Sequence, residues 1–339
     1  TLPTNANSFI YPSFTGSFVF SQVPGFQADW LSFGKVRLGW AQVGNDTDPY
    51  QLYKAYDVEQ SFNGLSSNKL PSTLNNSELK PEITSSWETG INLQFFRNRL
   101  GLDVTYYNNV SRNQILPIPV SSAFGYEAKV LNAGRVENKG LEIILNGTPI
   151  QNDNFEWNAS LNYSRNKNKV LKLDELVNTL TLSSSLINLV AREGQPYGQL
   201  LGYDFVYADG QRVVKEDGTY LRTSQLVPLG SVLPDYLFGF QNNFRYKNFN
   251  FGFLIDGRVG GSFYSQTYNV GMYSGILDRT AENNVREDGL ILDGVKADVV
   301  FNPDGTYTTS NVRENDTRIT AQQWGRNEST GPTTFSIFD

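Results

Sequence analysis

Eight stretches of this chain alternate apolar and polar residues, and this period of two predicts β-strands. The stretches fall into four consecutive pairs, which are Phe18–Gln22 with Gly34–Gly44, Ser86–Phe95 with Leu100–Val110, Leu141–Gly147 with Phe155–Asn166, and Tyr236–Tyr246 with Phe249–Gly260. A modest turn joins the members of the first pair, and short turns join the members of the other three, as at Phe96–Arg99 and Lys247–Asn248. We therefore predict four antiparallel hairpins that follow one another along the chain.

The connections between the hairpins are much longer than the turns within them. They span about 40, 30 and 68 residues, and about 80 residues follow the last strand, whereas a usual connection has roughly 4–6. A soluble sandwich has no reason to keep its short turns at one end and its long loops at the other. Outer-membrane β-barrels do so, because their short turns face the periplasm and their long loops face outward. The pattern predicts an all-β, antiparallel transmembrane β-barrel.

The two faces of the predicted strands differ in polarity. Several strands have the roughly 9–11 residues of a tilted transmembrane strand, and the charges in mid-strand share the polar face. A Lys or Arg on the lipid face near midplane would cost on the order of 2–4 kcal/mol. We predict that the polar face lines a solvated lumen through Glu88, Asn92, Gln94, Asp103, Glu142, Glu156, Asn158, Asn162 and Asp256. Aromatic residues beside the short turns predict an interfacial girdle of Trp30, Phe33, Phe95, Phe96, Phe155, Tyr246 and Phe249.

A half-buried antiparallel sheet in a soluble protein would show the same alternation, with the apolar residues as its core. The one-sided loop lengths favour the barrel over that alternative. A helical membrane protein is excluded, because no window approaches the roughly 18 consecutive apolar residues of a spanning helix.

Composition narrows the possible chemistry. The chain has no His and no Cys, which excludes Ser–His–Asp triads, thiolate nucleophiles and His- or Cys-ligated metals. The net charge of −6 and the lack of a long basic run argue against nucleic-acid binding. Hydrolysis by a carboxylate pair stays possible, because 34 Asp and Glu residues are available. We predict no catalytic residues, no metal and no cofactor.

The long loops are rich in Asn, Ser, Gly, Asp and Tyr. Asp209-Gly210 and Asp217-Gly218 predict tight turns, with Val206–Tyr207 and Arg212–Lys215 forming a small meander. The segment Leu176–Leu189 is expected to be a short helix or an irregular apolar stretch. Aromatic rings in the loops are candidates for an outer vestibule that contacts cargo, although packing between loops is the interpretation we favour for any single ring. These candidates are Tyr126, Tyr197, Tyr203, Tyr264, Tyr268 and Trp324.

Short runs of sequence occur in a characteristic order over nearly the whole chain. They are Tyr11–Ser13, Leu79–Glu82, Ser86–Asn92, Asn98–Leu100, Asp103–Tyr107, Leu131–Gly134, Asn138–Glu142, Glu193–Gly198, Leu229–Gly230, Leu233–Asp235, Phe244–Phe249 and Asp293–Val295. Each run alone is a weak signal, but the ordered set resembles the SusC/RagA family of TonB-dependent outer-membrane transporters. Within these runs we interpret Pro81, Gly90, Gly140 and Pro234 as residues that shape strand ends.

The resemblance implies a barrel of about 22 strands, of which this chain would supply about eight. Residues 1–339 would then be a partial barrel, without the plug, the TonB-contacting segment or the closing strands. The family imports glycans or oligopeptides across the bacterial outer membrane, powered through TonB, with a SusD-like surface lipoprotein as a lid. The resemblance therefore implies these partners, a lipid bilayer and no enzymatic activity.

Two other functions remain open from the sequence. A closed eight-stranded outer-membrane barrel could serve as an adhesin or a structural protein, since eight strands suffice to close. A secreted, β-rich glycoside hydrolase would need two carboxylates roughly 5–9.5 Å apart, and the sequence shows no privileged pair. The single Met at position 272, the lack of a signal-like start and the strand-like end at 335–339 favour a piece of a longer transporter.

Overall fold

The computed structural model of the chain describes residues 2–4, 7–121, 123, 125–175 and 177–339. The chain divides into two compact units, and each is described by itself. The first unit comprises Thr1–Leu180, Arg192–Tyr197 and Pro234–Val259, and the second comprises Thr181–Ala191, Gly198–Leu233 and Gly260–Asp339. Every helix in the described ranges is too short or too polar to span a bilayer.

Strands dominate the secondary structure. In chain order they are β1 (Ser13–Val19), β2 (Leu31–Asn45), β3 (Asp57–Phe62), β4 (Leu65–Lys69), β5 (Thr73–Leu74), β6 (Glu82–Phe95), β7 (Leu100–Arg112), β8 (Ile115–Pro119), β9 (Ala128–Asn132), β10 (Arg135–Gln151), β11 (Phe155–Lys172), β12 (Thr179–Ser184), β13 (Asn188–Arg192), β14 (Gln199–Gly202), β15 (Tyr207–Ala208), β16 (Gln211–Val214), β17 (Val227–Ser231), β18 (Tyr236–Tyr246), β19 (Phe249–Val259), β20 (Phe263–Tyr264), β21 (Leu290–Ile291), β22 (Val295–Phe301), β23 (Tyr307–Glu314), β24 (Arg318–Ile319) and β25 (Ile337–Phe338).

Within the described ranges, the α-helices all lie in the second unit, and they are α1 (Gln266–Ser274), α2 (Val285–Asp288) and α3 (Ala321–Thr330). Two of them begin at side-chain caps. The Ser265 hydroxyl accepts a hydrogen bond from the backbone N–H of Tyr268 at the start of α1. Thr320 and Gln323 form a reciprocal capping box at the start of α3, which satisfies two backbone donors at once.

The first unit contains an eight-stranded antiparallel sheet with the order β1-β2-β6-β7-β10-β11-β18-β19. This order confirms the four consecutive hairpins predicted from the sequence. Short turns join β6 to β7, β10 to β11 and β18 to β19, whereas residues 46–81, 113–134 and 173–235 form the long connections. The alternation of short turns and long loops is therefore present in the structure.

The short turns adopt the tight conformations that their residues favour. Phe96, Arg97 and Asn98 all have positive φ, so the backbone reverses within four residues after β6. After β10, the side-chain oxygen of Asn152 accepts hydrogen bonds from the backbone N–H groups of Asn154 and Phe155. Asn side chains stabilise turns through such contacts with the backbone two or three residues later.

The prediction for the first strand was wrong in its position. The strand runs over Ser13–Val19, and Phe20–Gln22, which was expected to be extended, forms a 3₁₀ turn instead. The phenyl ring of Phe20 lies over Gly34, in space that a Cβ at position 34 would fill. The aromatic residue thus packs at the turn rather than continuing the alternation of β1.

The register of the sheet separates an apolar face from a polar one. One row of directly paired residues crosses six strands and is apolar at every position: Leu93, Leu102, Leu145, Leu161, Phe240 and Ile255. The neighbouring row, on the other face, is Asn92, Asp103, Ile144, Asn162, Gly239 and Asp256. Leu161 is 37% exposed and Ile255 is 51% exposed, so the apolar face is not a buried protein core.

The second unit packs around a small hydrophobic core in which α1 and α3 meet loop strands. Its buried members are Phe205, Val214, Tyr220, Met272, Val285, Leu292, Ile319 and Trp324. The predicted tight turns are confirmed, since β15 and β16 pair across Asp209 and Gly210, both at positive φ. The expectation for Leu176–Leu189 was wrong: Leu176 lies outside the described residues, and the rest contains β12 and the start of β13.

Candidate functional site

All nine polar residues predicted to line a lumen lie on one face of the eight-stranded sheet. The pairing of Asn92 with Asp103 fixes this face for β6 and β7, and the pairing of Glu156 with Arg245 fixes it for β11 and β18. The nine are Glu88, Asn92, Gln94, Asp103, Glu142, Glu156, Asn158, Asn162 and Asp256. We call this surface the polar face. The prediction that it faces a lumen stays a prediction at this point.

An ion-pair cluster on the polar face joins three strands. The Arg37 guanidinium on β2 donates two hydrogen bonds to Asp103 on β7, from Nη1 to Oδ2 at 2.9 Å and from Nη2 to Oδ1 at 2.8 Å. Asn92 on β6 donates to the same carboxylate at 2.8 Å, and Thr105 donates to it at 3.3 Å. Glu88 approaches Arg37 Nε at 3.6 Å. One guanidinium therefore meets two carboxylates, most closely that of Asp103, and the cluster cross-links strands that are not neighbours.

Glycine at position 90 makes this cross-link possible. Arg37 is paired with Gly90, and Gly90 with Thr105, so the guanidinium must pass over Gly90 to reach β7. A Cβ at position 90 would lie 2.7 Å from Arg37 Nε and 2.9 Å from its Cζ. The interpretation of Gly90 as a residue that shapes a strand end was wrong, since it lies in the middle of β6.

Gly140 has the same role one hairpin further along the chain. It is paired with Tyr107 on β7 and with Asn166 on β11. The Tyr107 ring crosses Gly140, where a Cβ would lie 2.5 Å from the phenolic oxygen, and its hydroxyl donates to Asn166 Oδ1 at 3.1 Å. Gly140 therefore also lies inside a strand, and its assignment to a strand end was wrong as well.

A second charged group lies toward the short turns. Arg245 Nη2 on β18 contacts Glu156 Oε2 on β11 at 2.6 Å. Asn158 donates to the other oxygen of Glu156 at 2.7 Å, and Thr148 on β10 donates to Asn158 at 2.7 Å. Three strands are again joined, here through Glu156 and Asn158 together.

A shallow depression of about 440 Å³ brings together three of the predicted residues, Glu142, Asn162 and Asp256. Ile144 and Leu254 line it as well, so its wall is mixed rather than uniformly polar. Ile144 was recognised in the sequence as a break in the alternation, and it is 44% exposed on this otherwise polar surface. Groups of this kind contact solutes by hydrogen bonding and apolar packing, without covalent chemistry.

Sequence reasoning missed the basic partners of the polar face. Arg37 and Arg245 were not selected, and neither was the hydroxyl donor Tyr107, because only the acidic and amide residues stood out in mid-strand. For Arg37, the available signal was a charge of opposite sign to Asp103 whose paired residue in the intervening strand is Gly90. That signal becomes readable only when the register between β2 and β6 is known, and these strands are joined by the long connection 46–81 rather than by a tight turn that would fix the register.

The loop aromatics predicted for a vestibule are mostly half-buried. In the first unit, the Lys54 ammonium lies 5.4 Å from the centre of the Tyr126 ring. In the second unit, the Arg222 guanidinium lies 4.1 Å from the centre of the Tyr203 ring. Such cation–π contacts hold Tyr126 against the long connection 46–81 and Tyr203 within its own connection. Tyr197 and Tyr264 are half-buried, and burial raises the pKa of both hydroxyls.

Trp324 does not belong to an accessible vestibule, which corrects its assignment. It is 7% exposed, and its indole N–H donates to Glu328 at 2.7 Å within α3. Tyr268 donates to the other oxygen of Glu328 at 2.9 Å, and Arg279 contacts the carboxylate at 3.3 Å. Burial raises the pKa of Glu328, and burial together with this carboxylate raises the pKa of Tyr268 to about 12. These rings belong to the core of the second unit.

Metal binding has no visible basis in the described ranges, where no group of three or more acidic side chains is arranged to hold an ion. The polar face and the loops instead present hydrogen-bonding groups and rings. Their chemistry fits reversible contact with a polar solute.

Known proteins share both the sequence and the fold. A family model for TonB-dependent receptor-like β-barrels matches residues 3–231. TonB-dependent receptor P26 of Formosa agariphila is 31% identical over 299 residues, which covers 79% of this chain and 29% of that protein. TonB-dependent receptor SusC of Bacteroides thetaiotaomicron is 26% identical over 300 residues, covering 77% of this chain and 29% of that protein. The chain therefore spans less than a third of the length of these relatives.

Solved structures show the same fold. The RagAB peptide transporter superposes with a TM-score of 0.69 at 22% identity, covering 81% of this chain and 32% of that chain. The RagAB peptide importer in its open-open state gives a TM-score of 0.66 at 21% identity, covering 78% of this chain and 30% of that chain. At such identities the likeness concerns the fold alone.

Proposed function

This chain belongs to the family of TonB-dependent receptor-like β-barrels, and on that premise we propose that it forms eight strands in the wall of a larger outer-membrane importer. Membership confirms the all-β barrel class and the resemblance to SusC and RagA transporters. The relatives are receptors and transporters rather than enzymes, which removes the glycoside hydrolase alternative.

The observation that carries this proposal is the contrast between the two faces of the eight-stranded sheet. The apolar face is exposed, with Leu161 and Ile255 in an uninterrupted hydrophobic row, as a surface in contact with lipid should be. The polar face carries cross-linked charges such as Arg37 and Asp103. A sheet in a bilayer places such charges toward water, so we assign the polar face to the lumen.

The edges of the sheet argue against a small closed barrel. Among the described residues, β1 and β19 each have one neighbour in this sheet and do not pair with each other. Open edges are not tolerated in lipid, because their backbone N–H and C=O groups would be unsatisfied. We infer that further strands of the longer protein pair with both edges, giving a barrel of about 22 strands.

The mechanism that we propose is binding and gating. The polar face would contact a plug and a passing solute, and the long loops on the opposite side from the short turns would meet a SusD-like lipoprotein. Energy would arrive through TonB. The cargo would be an oligopeptide or a glycan, since amides, carboxylates and small apolar groups around Glu142 and Ile144 can contact either class.

The test uses the full-length protein in its bacterial host. We expect it in the outer-membrane fraction, migrating differently on a gel before and after heating, as folded barrels do. Deleting the gene should abolish uptake of labelled oligopeptides or of labelled oligosaccharides, and dissipating the proton gradient should have the same effect on the intact strain. Recovery of the protein in a soluble fraction, or uptake of both cargo classes that does not depend on the gene, would contradict the proposal.

A further inference from the structure

The apolar face of β11 changes abruptly in character along the strand. Every second residue points to this face, and the series is hydrophobic first and cationic afterwards. In order, it reads Trp157, Ala159, Leu161, Tyr163, Arg165, Lys167 and Lys169. The hydrophobic part begins at the short turn after β10, and the cationic part leads into the long connection that follows β11.

The neighbouring strand β10 changes at the same level. Leu141 is paired with Arg165, and the next residue on this face, Lys139, is paired directly with Lys167. We call Lys139, Arg165, Lys167 and Lys169 the cation cluster. All four lie on the face that carries the apolar rows, and none lies on the polar face.

Tyrosine rings border the cation cluster on the hydrophobic side. Tyr163 packs against Tyr236 with 5.6 Å between ring centres, and Tyr106 is paired with Leu141. Tyr is enriched where a membrane protein passes from hydrocarbon to headgroups. The cation cluster therefore begins where the headgroups of a bilayer would begin.

The charges of the cation cluster are not balanced locally. Lys139 contacts Glu137 at 3.1 Å, and Glu137 is paired with Lys169. In the part of the chain that the structure describes, Arg165 and Lys167 form no ion pair. Like charges directly opposite each other on a sheet are destabilising, as for Lys139 and Lys167. An external anion at this position would remove that repulsion.

We propose that the cation cluster binds the phosphate groups of an anionic lipid headgroup, with the acyl chains of the same lipid lying along the apolar rows of β10 and β11. This inference rests on the proposed function, because it requires the apolar face in a bilayer with the long loops outward. Arg offers a fork of donors that fits phosphate oxygens, and Lys extends its charge toward headgroups while its stem stays on apolar surface.

The source of the phosphate is the lipid rather than the free ion. The cluster is exposed and adjoins hydrophobic rows that a free ion would not contact, whereas an acyl chain would cover them. Arg165 lies on the same face of β11 as Leu161, so one molecule can contact the cation with its phosphate and the apolar row with its acyl chain. A lipid can do this, and a free phosphate ion cannot.

The test uses the full-length protein in detergent and a diphosphorylated glycolipid as the probe, with the same lipid after enzymatic removal of its phosphates as its reference. Native mass spectrometry measures the bound fraction of each. The variant is Arg165→Gln/Lys167→Gln/Lys169→Gln. The matched control, Arg97→Gln/Arg99→Gln/Lys247→Gln, removes the same charge at the exposed short turns beyond the other border of the apolar rows.

We expect the wild type and the control to prefer the phosphorylated lipid, and the cluster variant to lose about tenfold or more of that affinity. Millimolar inorganic phosphate should not compete. Equal binding of both lipids by the wild type, unchanged binding by the cluster variant, or displacement by inorganic phosphate would overturn the inference.

Two further readouts separate this inference from the proposed function. A folded, heat-modifiable band on a gel shows that the cluster variant has assembled. The single variant Lys139→Gln removes one charge of the cation cluster and provides a milder version of the binding test. Normal cargo uptake by a wild type that shows no lipid preference would overturn the inference alone. Absence of the protein from the outer membrane would overturn both.

Discussion

Arg37 reaches Asp103 across an intervening strand, because Gly90 leaves open the space that the guanidinium occupies. The pair is bidentate, and both side chains are less than a third exposed. A hydrogen-bonded charge pair of this kind tightens the wall of a sheet across three strands rather than two. It also keeps both charges on the polar face, away from the apolar one.

Removing one member of this pair should destabilise the folded barrel. We expect Arg37→Ala or Asp103→Ala in the full-length protein to lower the free energy of unfolding by about 2 kcal/mol, because the remaining charge loses its partner. The double variant should cost clearly less than the sum of the two. Urea unfolding in detergent measures this, with Arg97→Ala at an exposed turn as the control. Additive effects would show that the two residues do not interact.

Gly90 and Gly140, which are crossed by side chains from neighbouring strands, should differ in the stability that is lost when each is replaced by alanine. Gly140→Ala should destabilise most, because its Cβ would lie 2.5 Å from the Arg165 carbonyl oxygen as well as against Tyr107. Gly90→Ala should cost less, since the flexible end of Arg37 can move away, with loss of its ion pair. Gly39→Ala is the matched control on the same face, where the nearest atom lies at 3.9 Å. The temperature at which half of the folded gel band converts to the unfolded band gives the order of destabilisation. A large decrease for Gly39→Ala would contradict the account.

An added charge should destabilise the protein when it is placed on the apolar face and should be tolerated on the polar face. Leu161→Arg places a cation on the apolar face and should reduce stability by about 2–4 kcal/mol if that position lies near midplane. Asn162→Arg, on the adjacent position of the polar face, should be tolerated far better. The amount of folded protein in the outer membrane is the measurement. Equal losses for the two variants would argue against the assignment of the faces.

Glu328 gives a pH dependence to the second unit. Its pKa is raised in the folded state by burial, so the folded state holds the proton more tightly than the unfolded state does. The associated stability is fully present below the unfolded pKa and is lost as pH rises through the folded value. We expect amide exchange in Ala321–Thr330, corrected for its intrinsic rate, to report weaker protection at neutral pH than at pH near 4.

Glu328→Gln is the control for this effect. The amide can still accept from Trp324 or Tyr268, but it cannot ionise, so the difference between the two pH values should shrink. The same pH response in the variant as in the wild type would mean that another group is responsible.

The parts of the fold that follow local periodicity were predictable from the sequence. Alternation located β2, β6, β7, β10, β11, β18 and β19, because a sheet with one apolar face and one polar face gives its strands a period of two. It failed at Phe18–Gln22, where Phe20 packs over Gly34 at a turn, a contact between residues 14 positions apart. It also failed in Leu176–Leu189, where short strands are defined by pairing with distant segments.

For the candidate site, the sequence predicted which residues share the polar face but not the contacts between them. Asp103 and Asn92 were identified as polar mid-strand residues, but their connection to Arg37 depends on register and on the absence of a side chain at Gly90. Trp324 shows the complementary limit. A tryptophan in a polar loop cannot be assigned to a surface or a core from its neighbours in sequence, and here Glu328 and Met272 place it in a core.

Spin labels at consecutive positions of β11 test the central claim most directly, that this sheet is a barrel wall with lipid on one side and water on the other. The present chain contains no cysteine, so single cysteines at positions 158 to 163 can carry the label in a full-length protein that is otherwise cysteine-free. In reconstituted bilayers, labels at Ala159, Leu161 and Tyr163 should collide mainly with oxygen dissolved in the lipid. Labels at Asn158, Ser160 and Asn162 should collide mainly with a water-soluble nickel chelate, giving two signals of period two in opposite phase. Uniform accessibility to the nickel chelate at all six positions would contradict the account.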